Sequence, residues 1–277
     1  MSSLPPIETV HLLREVNEAL LVLLDGLAPG DWSKPTVHPR RNVKDLTAHL
    51  LDGSLRRLSI HRDGQFLEAP EIRSFEDMVA FIQHLNTEWM AAAKRLSPRV
   101  LTGLLRRADE ELCDFFAGLD PQGASPFGVA WAGEEWSLNW FDIAREYTEK
   151  WHHQQQIRDA VGRPGLVERR YLHPALEIFL RGAPHAYRDA APVDGTGVRV
   201  EIAGDAGGAW HLRREGGRWD LVEGLDRPPA TRIILDPDTA WRLWTKGLDQ
   251  GAARARSRVE GDPALAAPLF AMVTIMA

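Results

Sequence analysis

Between Thr9 and about residue 190 apolar side chains recur every three or four positions, and this spacing constrains the fold more than any other feature of the chain. The stretch from Thr9 to Trp32 carries Leu12, Val16, Leu20, Leu23 and Leu24 on one helical face, then breaks at Gly-Leu-Ala-Pro-Gly. A second helix is predicted from Asn42, its N-cap, to Gly64. Ser74 caps a third, with Asp77 favouring its first turn, and Ser97-Pro98 restarts a helix that runs to about Gly118. These two pieces together are read as one broken member. A loop rich in glycine and proline follows, and a fourth helix begins near Ser137. One further helix is expected over "RRYLHPALEIFLRGAPHAYRDA". The pattern is mainly α, an up-and-down four-helix bundle with an appended helix.

Near Ala191 the texture changes. "GVRVEIAG", "GAWHLRREGG", "RWDLVEG" and "ATRIILD" are short, rich in β-branched and aromatic residues, and separated by Gly, Asp and Pro, as in a meander of strands. Asp236-Pro237-Asp238 opens a helix through Trp241 and Trp244, "ARSRVEG" reads as another strand, and "DPALAAPLFAMVTIMA" as a closing apolar helix. Two domains are expected: residues 1–190, helical, and residues 191–277, small and α+β.

With 277 residues, 44% hydrophobic and 26% charged, the chain has material for a substantial core. A net charge of −6 and basic residues that never cluster beyond pairs argue against a nucleic-acid partner. Apolar runs such as Leu20 to Leu24 are too short for a membrane span, and "MSSLPPIETV" has neither the basic region nor the apolar core of an export signal. A cytoplasmic location is the expectation. The single cysteine, Cys113, excludes an internal disulfide and any thiolate-cluster metal site, and its helical, partly apolar setting suits a buried, inert thiol.

The fourth helix carries the polar stretch "EYTEKWHHQQQIRDAVGRPG". Trp140, Ile143, Tyr147, Trp151 and Val161 occupy one side; Glu149 and His153, roughly 40° apart, lie on the other, while His152 points about 100° away from His153. Such a face is either solvated or looks into a polar pocket, and periodicity alone does not choose. On the second helix, in "VKDLTAHLLDG", His49 sits at the edge of the apolar face.

Taken together, His49 and Glu149-x-x-x-His153 resemble the DinB-like superfamily and, within it, the mycothiol-dependent maleylpyruvate isomerase family. "VKDLTAHLL" resembles its second-helix signature, and "EKWHHQQQIRDAVGRPG" its run of acidic residue, histidine and Gly-Arg-Pro. The C-terminal strands with Trp210 and Trp219, followed by "RVEGDPALA", are similar to the sterol-carrier-like small domain that accompanies such bundles. The resemblance implies that His49, Glu149 and His153 hold a divalent metal. His152 beside His153, and Glu146 three residues before Glu149, leave the ligand register open.

Two imidazoles and one carboxylate with an open position are the donors of a catalytic zinc site, and nickel or iron would accept them as well. In the family resembled, the open position receives the thiol of mycothiol, and the resulting thiolate attacks a small electrophile, in isomerase or transferase chemistry. Two other readings stand beside this one: a hydrolase using metal-bound water, and a non-catalytic ligand-binding protein. Gln155 and Gln156 either orient His153 or are solvated. Asn86 and Glu88 belong to an exposed helical face or to the pocket. Arg40 and Arg41 are candidates for binding a carboxylate of substrate or thiol. Trp131, Trp136, Trp140 and Trp151 are core and loop anchors, with a substrate wall as the lesser reading. The closing apolar helix packs either within its own domain or across a homodimer.

Overall fold

The computed structural model describes residues 4–66 and 70–275. Its helices are α1 (Val10–Asp25), α2 (Val43–Arg57), α3 (Phe75–Ala93), α4 (Pro98–Ala117), α5 (Asn139–Val161), α6 (Arg169–Leu180) and α7 (Ala183–Ala186). Reciprocal caps set two of the starts. Asn42 Oδ1 accepts from Asp45 N while Asp45 Oδ2 accepts from Asn42 N, and Ser74 and Asp77 repeat the arrangement. Gly162, at φ +68°, ends α5 in the left-handed conformation that glycine adopts without strain. After Arg57 the helix widens into a π-type turn, Leu58–Arg62.

α1 packs against α4 and α5, and α2 packs against α4, α5 and α3. The contacts close a ring in the order α1, α4, α2, α5. The segment read as one broken helix is therefore two elements with different roles: α4 joins the ring and α3 stands outside it against α2. Ser97 and Pro98 separate them, since the Ser97 hydroxyl accepts from Val100 N and the proline occupies the first turn. Peripheral α3 buries only Asn86 and Ala93 among its described side chains. The helix expected after Arg169 is likewise split, into α6 and α7, where Gly182 lets the chain approach the Trp131 ring.

The C-terminal sheet comprises β1 (Gly197–Ile202), β2 (Gly208–Glu215), β3 (Arg218–Val222), β4 (Thr231–Leu235) and β5 (Arg258–Gly261), in the order β3-β2-β1-β4-β5. It is not a simple meander. β1 to β3 form antiparallel hairpins, but β4 returns along the far side of β1 and pairs with it in parallel. Helices α8 (Pro237–Trp244) and α9 (Gln250–Ala255) carry the chain from β4 to its antiparallel neighbour β5. The expected closing helix is reduced to α10 (Ala267–Ala271) because prolines 263 and 268 restart the backbone twice. Among the described residues no helix is long and apolar enough to cross a membrane.

Helices and sheet share one continuous core. Trp151 of α5 meets Trp241 of α8 edge to face at 5.4 Å, Arg242 pairs with Asp159 at 2.6 Å, and Tyr187 Oη donates to Leu265 O at 2.6 Å. The sheet-bearing segment thus braces the side of α5 opposite Glu149.

Candidate metal centre

From Phe141 to Ile157 every α5 residue except Arg145 and Glu149 is buried. The polar face is therefore not solvated, and each of its side chains needs a partner from another element. α2 supplies most of them.

His49 Nε2 and His153 Nε2 each lie 3.1 Å from the same oxygen, Glu149 Oε1, and the two rings meet edge to face with centroids 4.9 Å apart. One donor atom from each of the three residues falls within 4.8 Å of the other two. Two ligands about 2.0–2.1 Å from a zinc ion at the tetrahedral angle stand roughly 3.3 Å apart, which the two nitrogen–oxygen spacings of 3.1 Å match. Proton accounting gives the stronger test of fit. His153 Nδ1 lies 2.8 Å from Gln156 Oε1, an acceptor, so Nδ1 carries a hydrogen and Nε2 is the nitrogen turned to the carboxylate oxygen. A ring nitrogen and a carboxylate oxygen at that distance require a proton or a metal cation between them. The donor set and its orientation fit a divalent ion.

The electrostatics agree. Burial alone would raise the Glu149 carboxyl, but the adjoining His153 and His49 rings outweigh it and hold it well below its ordinary value. Burial pushes His49 down to about 4, so its ring is neutral and able to ligate at neutral pH. The Glu149 side chain keeps 27% of its surface exposed, against 12% for His49 and 9% for His153, which leaves the carboxylate side of the centre open to a small molecule.

The neighbouring residues that left the register open are committed elsewhere. Glu146 accepts from Arg57 Nε at 3.1 Å, and the same guanidinium holds both oxygens of Asp142. His152 faces away, its Nδ1 2.9 Å from Thr148 O, and burial lowers it to about 3. The three glutamines divide their work. Gln154 donates to Val16 O on α1, Gln155 Oε1 accepts from Leu166 N in the following loop, and only Gln156 touches His153.

Lys150 is wholly buried and donates to Leu50 O, Ser54 Oγ and Asp109 Oδ1. Sequence reasoning missed Arg57, Asp142, Lys150 and Asp109. The signal available was charge inside an otherwise apolar stripe, "LRRL" on α2 and "LLRRADEEL" on α4, which reads equally well as a solvated face.

Asn86 is buried and accepts from Arg56 Nη2 at 3.2 Å, whereas Glu88 is exposed. Arg40 is exposed; Arg41 is half-buried and feels the charge of Glu149. Trp131 and Trp151 are core, Trp140 is half-buried, and Trp136 is exposed. Cys113 is buried, its thiol raised to about 11 by burial and by Asp109. A surface cleft of about 440 Å³, lined by Trp140, Arg181 and Leu221 among others, includes none of the three converging residues.

Residues 13–158 match the family described as the mycothiol maleylpyruvate isomerase N-terminal domain, a span that holds His49, Glu149 and His153. The chain belongs to the mycothiol maleylpyruvate isomerase family. It is by that membership an isomerase-like enzyme. Two solved structures are similar in fold: a crystal structure of the mycothiol-dependent maleylpyruvate isomerase and one of a histidine-to-alanine mutant of it. Each gives a TM-score of 0.52 at 11% identity, covering 88% of this chain and 91% of the other. Comparison with curated proteins gives no match.

Proposed function

We propose that this family member is a metal-dependent isomerase or transferase that uses a low-molecular-weight thiol of the mycothiol type on a small electrophile such as maleylpyruvate. The ring α1, α4, α2, α5 is, in this reading, a DinB-like four-helix bundle, followed over residues 191–277 by a small α+β domain of the sterol-carrier-like type. The observation that carries the proposal is the convergence of His49 Nε2, His153 Nε2 and Glu149 Oε1, with His153 Nε2 turned inward while Gln156 holds Nδ1. The ligands are His49, Glu149 and His153, and zinc is the ion their chemistry favours.

A bound divalent ion acidifies a coordinated thiol and so yields a thiolate nucleophile at neutral pH. The chain's residues do the rest. Gln156 keeps the hydrogen of His153 on Nδ1, His49 remains neutral through burial, and the partly exposed edge of Glu149 admits the thiol. Arg41 supplies positive charge near Glu149 for a carboxylate-bearing substrate. The sulfur comes from the cosubstrate, because Cys113 is buried with its thiol held protonated.

The test is elemental analysis of the purified protein, then conversion of maleylpyruvate with and without mycothiol. Turnover that needs both metal and thiol is the expected result. Metal-dependent turnover of other substrates without thiol would replace this reading with a metal-water hydrolase. Failure to retain any divalent metal after reconstitution would refute both.

A further inference from the structure

His49 is bracketed by two hydrogen bonds that the preceding chemistry does not use. The carbonyl of Ala48 accepts from Trp89 Nε1 on α3 at 2.8 Å, and the carbonyl of Leu50 accepts from Lys150 Nζ on α5 at 3.0 Å. Both carbonyls lie in the middle of α2, where the backbone N–H four residues on already satisfies one lone pair; each side chain takes the second. The two donors reach the same turn from two different helices. Backbone on either side of a single histidine is thereby fixed against both neighbours.

Lys150 suits this role because none of its three N–H donors is idle: Leu50 O, Ser54 Oγ at 2.6 Å and Asp109 Oδ1 at 2.7 Å take one each. Ser54 Oγ in turn donates to Asp109 Oδ1 at 2.6 Å, which ties α2, α4 and α5 at one point. A buried ion pair of this kind adds little stability over an apolar substitute, so its effect is better sought in geometry. The geometry at stake is narrow. Metal–ligand distances tolerate about 0.2 Å, and Leu50 and Lys150 are the immediate chain neighbours of His49 and Glu149.

We propose that Trp89 and Lys150 are positioning residues that set the approach of His49 to Glu149 and His153, acting through the carbonyls of Ala48 and Leu50. The inference rests on the metal reading of the three converging residues. Trp89→Phe keeps an aromatic ring while it loses the N–H together with the smaller ring of the indole, so its melting temperature is read beside its affinity. The double variant Lys150→Met with Asp109→Asn removes the ammonium without leaving a bare buried carboxylate. Val200→Ala serves as a control, because it opens the buried core under β1 in the sheet-bearing segment and leaves the α2 carbonyls and their donors unchanged.

Zinc affinity of the metal-free full-length protein, measured against a chromophoric chelator, is read beside its melting temperature. Trp89→Phe and the double variant should each bind zinc at least about tenfold more weakly, the scale of a lost outer-shell partner. Val200→Ala should melt lower and keep the parental affinity. Parental affinity in both positioning variants, or affinity that merely follows melting temperature across the set, overturns the inference and leaves the metal reading intact. A parent chain that binds no zinc removes both.

Discussion

Replacing Gln156 with leucine tests the proton accounting at the centre directly. In the parent, Gln156 Oε1 accepts from His153 Nδ1 at 2.8 Å, and this one contact determines which ring nitrogen is free to ligate. Leucine is similar in size but accepts nothing. The His153 tautomer then loses its bias and the ring its orientation. Loss of an outer-shell partner of a ligating histidine costs about 10–100-fold in metal affinity, or about 1.4–2.7 kcal/mol. Part of the penalty for the unsatisfied buried N–H, about 1–3 kcal/mol, falls on the metal-free state as well and will appear as lower stability instead of weaker binding. Gln156→Glu is the informative partner, because its carboxylate is a stronger acceptor from the same nitrogen and should preserve or tighten binding. Competition titration of zinc against a chromophoric chelator at neutral pH measures both. Parental affinity in the leucine variant, or equal losses in the two variants, would refute the claim that the acceptor fixes the ligand.

His153→Ala should abolish metal retention and thiol-dependent turnover while circular dichroism shows the helices intact, since the Trp151 side of α5 is untouched. Cys113→Ser should leave turnover nearly parental in the mycothiol assay; dependence on Cys113 would move the nucleophile into the chain. Arg57→Met takes from the buried carboxylates of Asp142 and Glu146 their shortest cation contacts, leaving the longer ones to Arg145, and should lower stability by about 3–5 kcal/mol in urea unfolding. The metal-free protein should lose stability as pH falls from 6.5 toward 4. His49 and His152 are held to about 4 and about 3, so within that window the unfolded chain binds the additional protons, and the depressed Glu149 carboxyl adds to the loss at the acid end. Urea midpoints at pH 7.5 and 5 measure this, and a higher midpoint at pH 5 would contradict it.

What the sequence made legible follows from which interactions are local. Caps at Asn42 and Ser74 and the restart at Ser97-Pro98 were readable because each is decided within a few residues. Membership in the ring was not: α3 and α4 have comparable apolar spacing, and only burial against α1 and α2 separates them. The strands were visible by their β-branched and aromatic content and by the Gly, Asp and Pro between them, but that texture does not name a neighbour, so the return of β4 to the far side of β1 went unseen. At the centre, the family resemblance named His49, Glu149 and His153, and the geometry converges on the same three. Helical spacing alone left the α5 face either solvated or buried. What decides between these is the polarity of the opposing surface, and its members Ser54, Arg57 and Asp109 are dispersed over α2 and α4.

The choice between Glu146 and Glu149 as the candidate ligand has a physical origin in that opposing surface. Asp142, Glu146, Glu149 and His153 follow one another at spacings of four, three and four along α5, so all four lie on one face and each anion must find a cation. α2 runs antiparallel to this face and offers Arg57 opposite Asp142 and Glu146, then Gly53, whose missing side chain leaves room beside Glu146 Oε1, then His49 opposite Glu149. One end of the seam thus has its charge met by a guanidinium. At the other end the partners of the carboxylate are imidazoles, His49, neutral through burial, and His153, which turns Nε2 toward it. Glu146 is drawn away from the centre because Arg57 holds its Oε2. Glu149 remains available because its direct contacts are ligating nitrogens, while Arg41 acts on it only through its field; in the proposed reading a divalent cation supplies the direct charge that Arg57 provides two turns away.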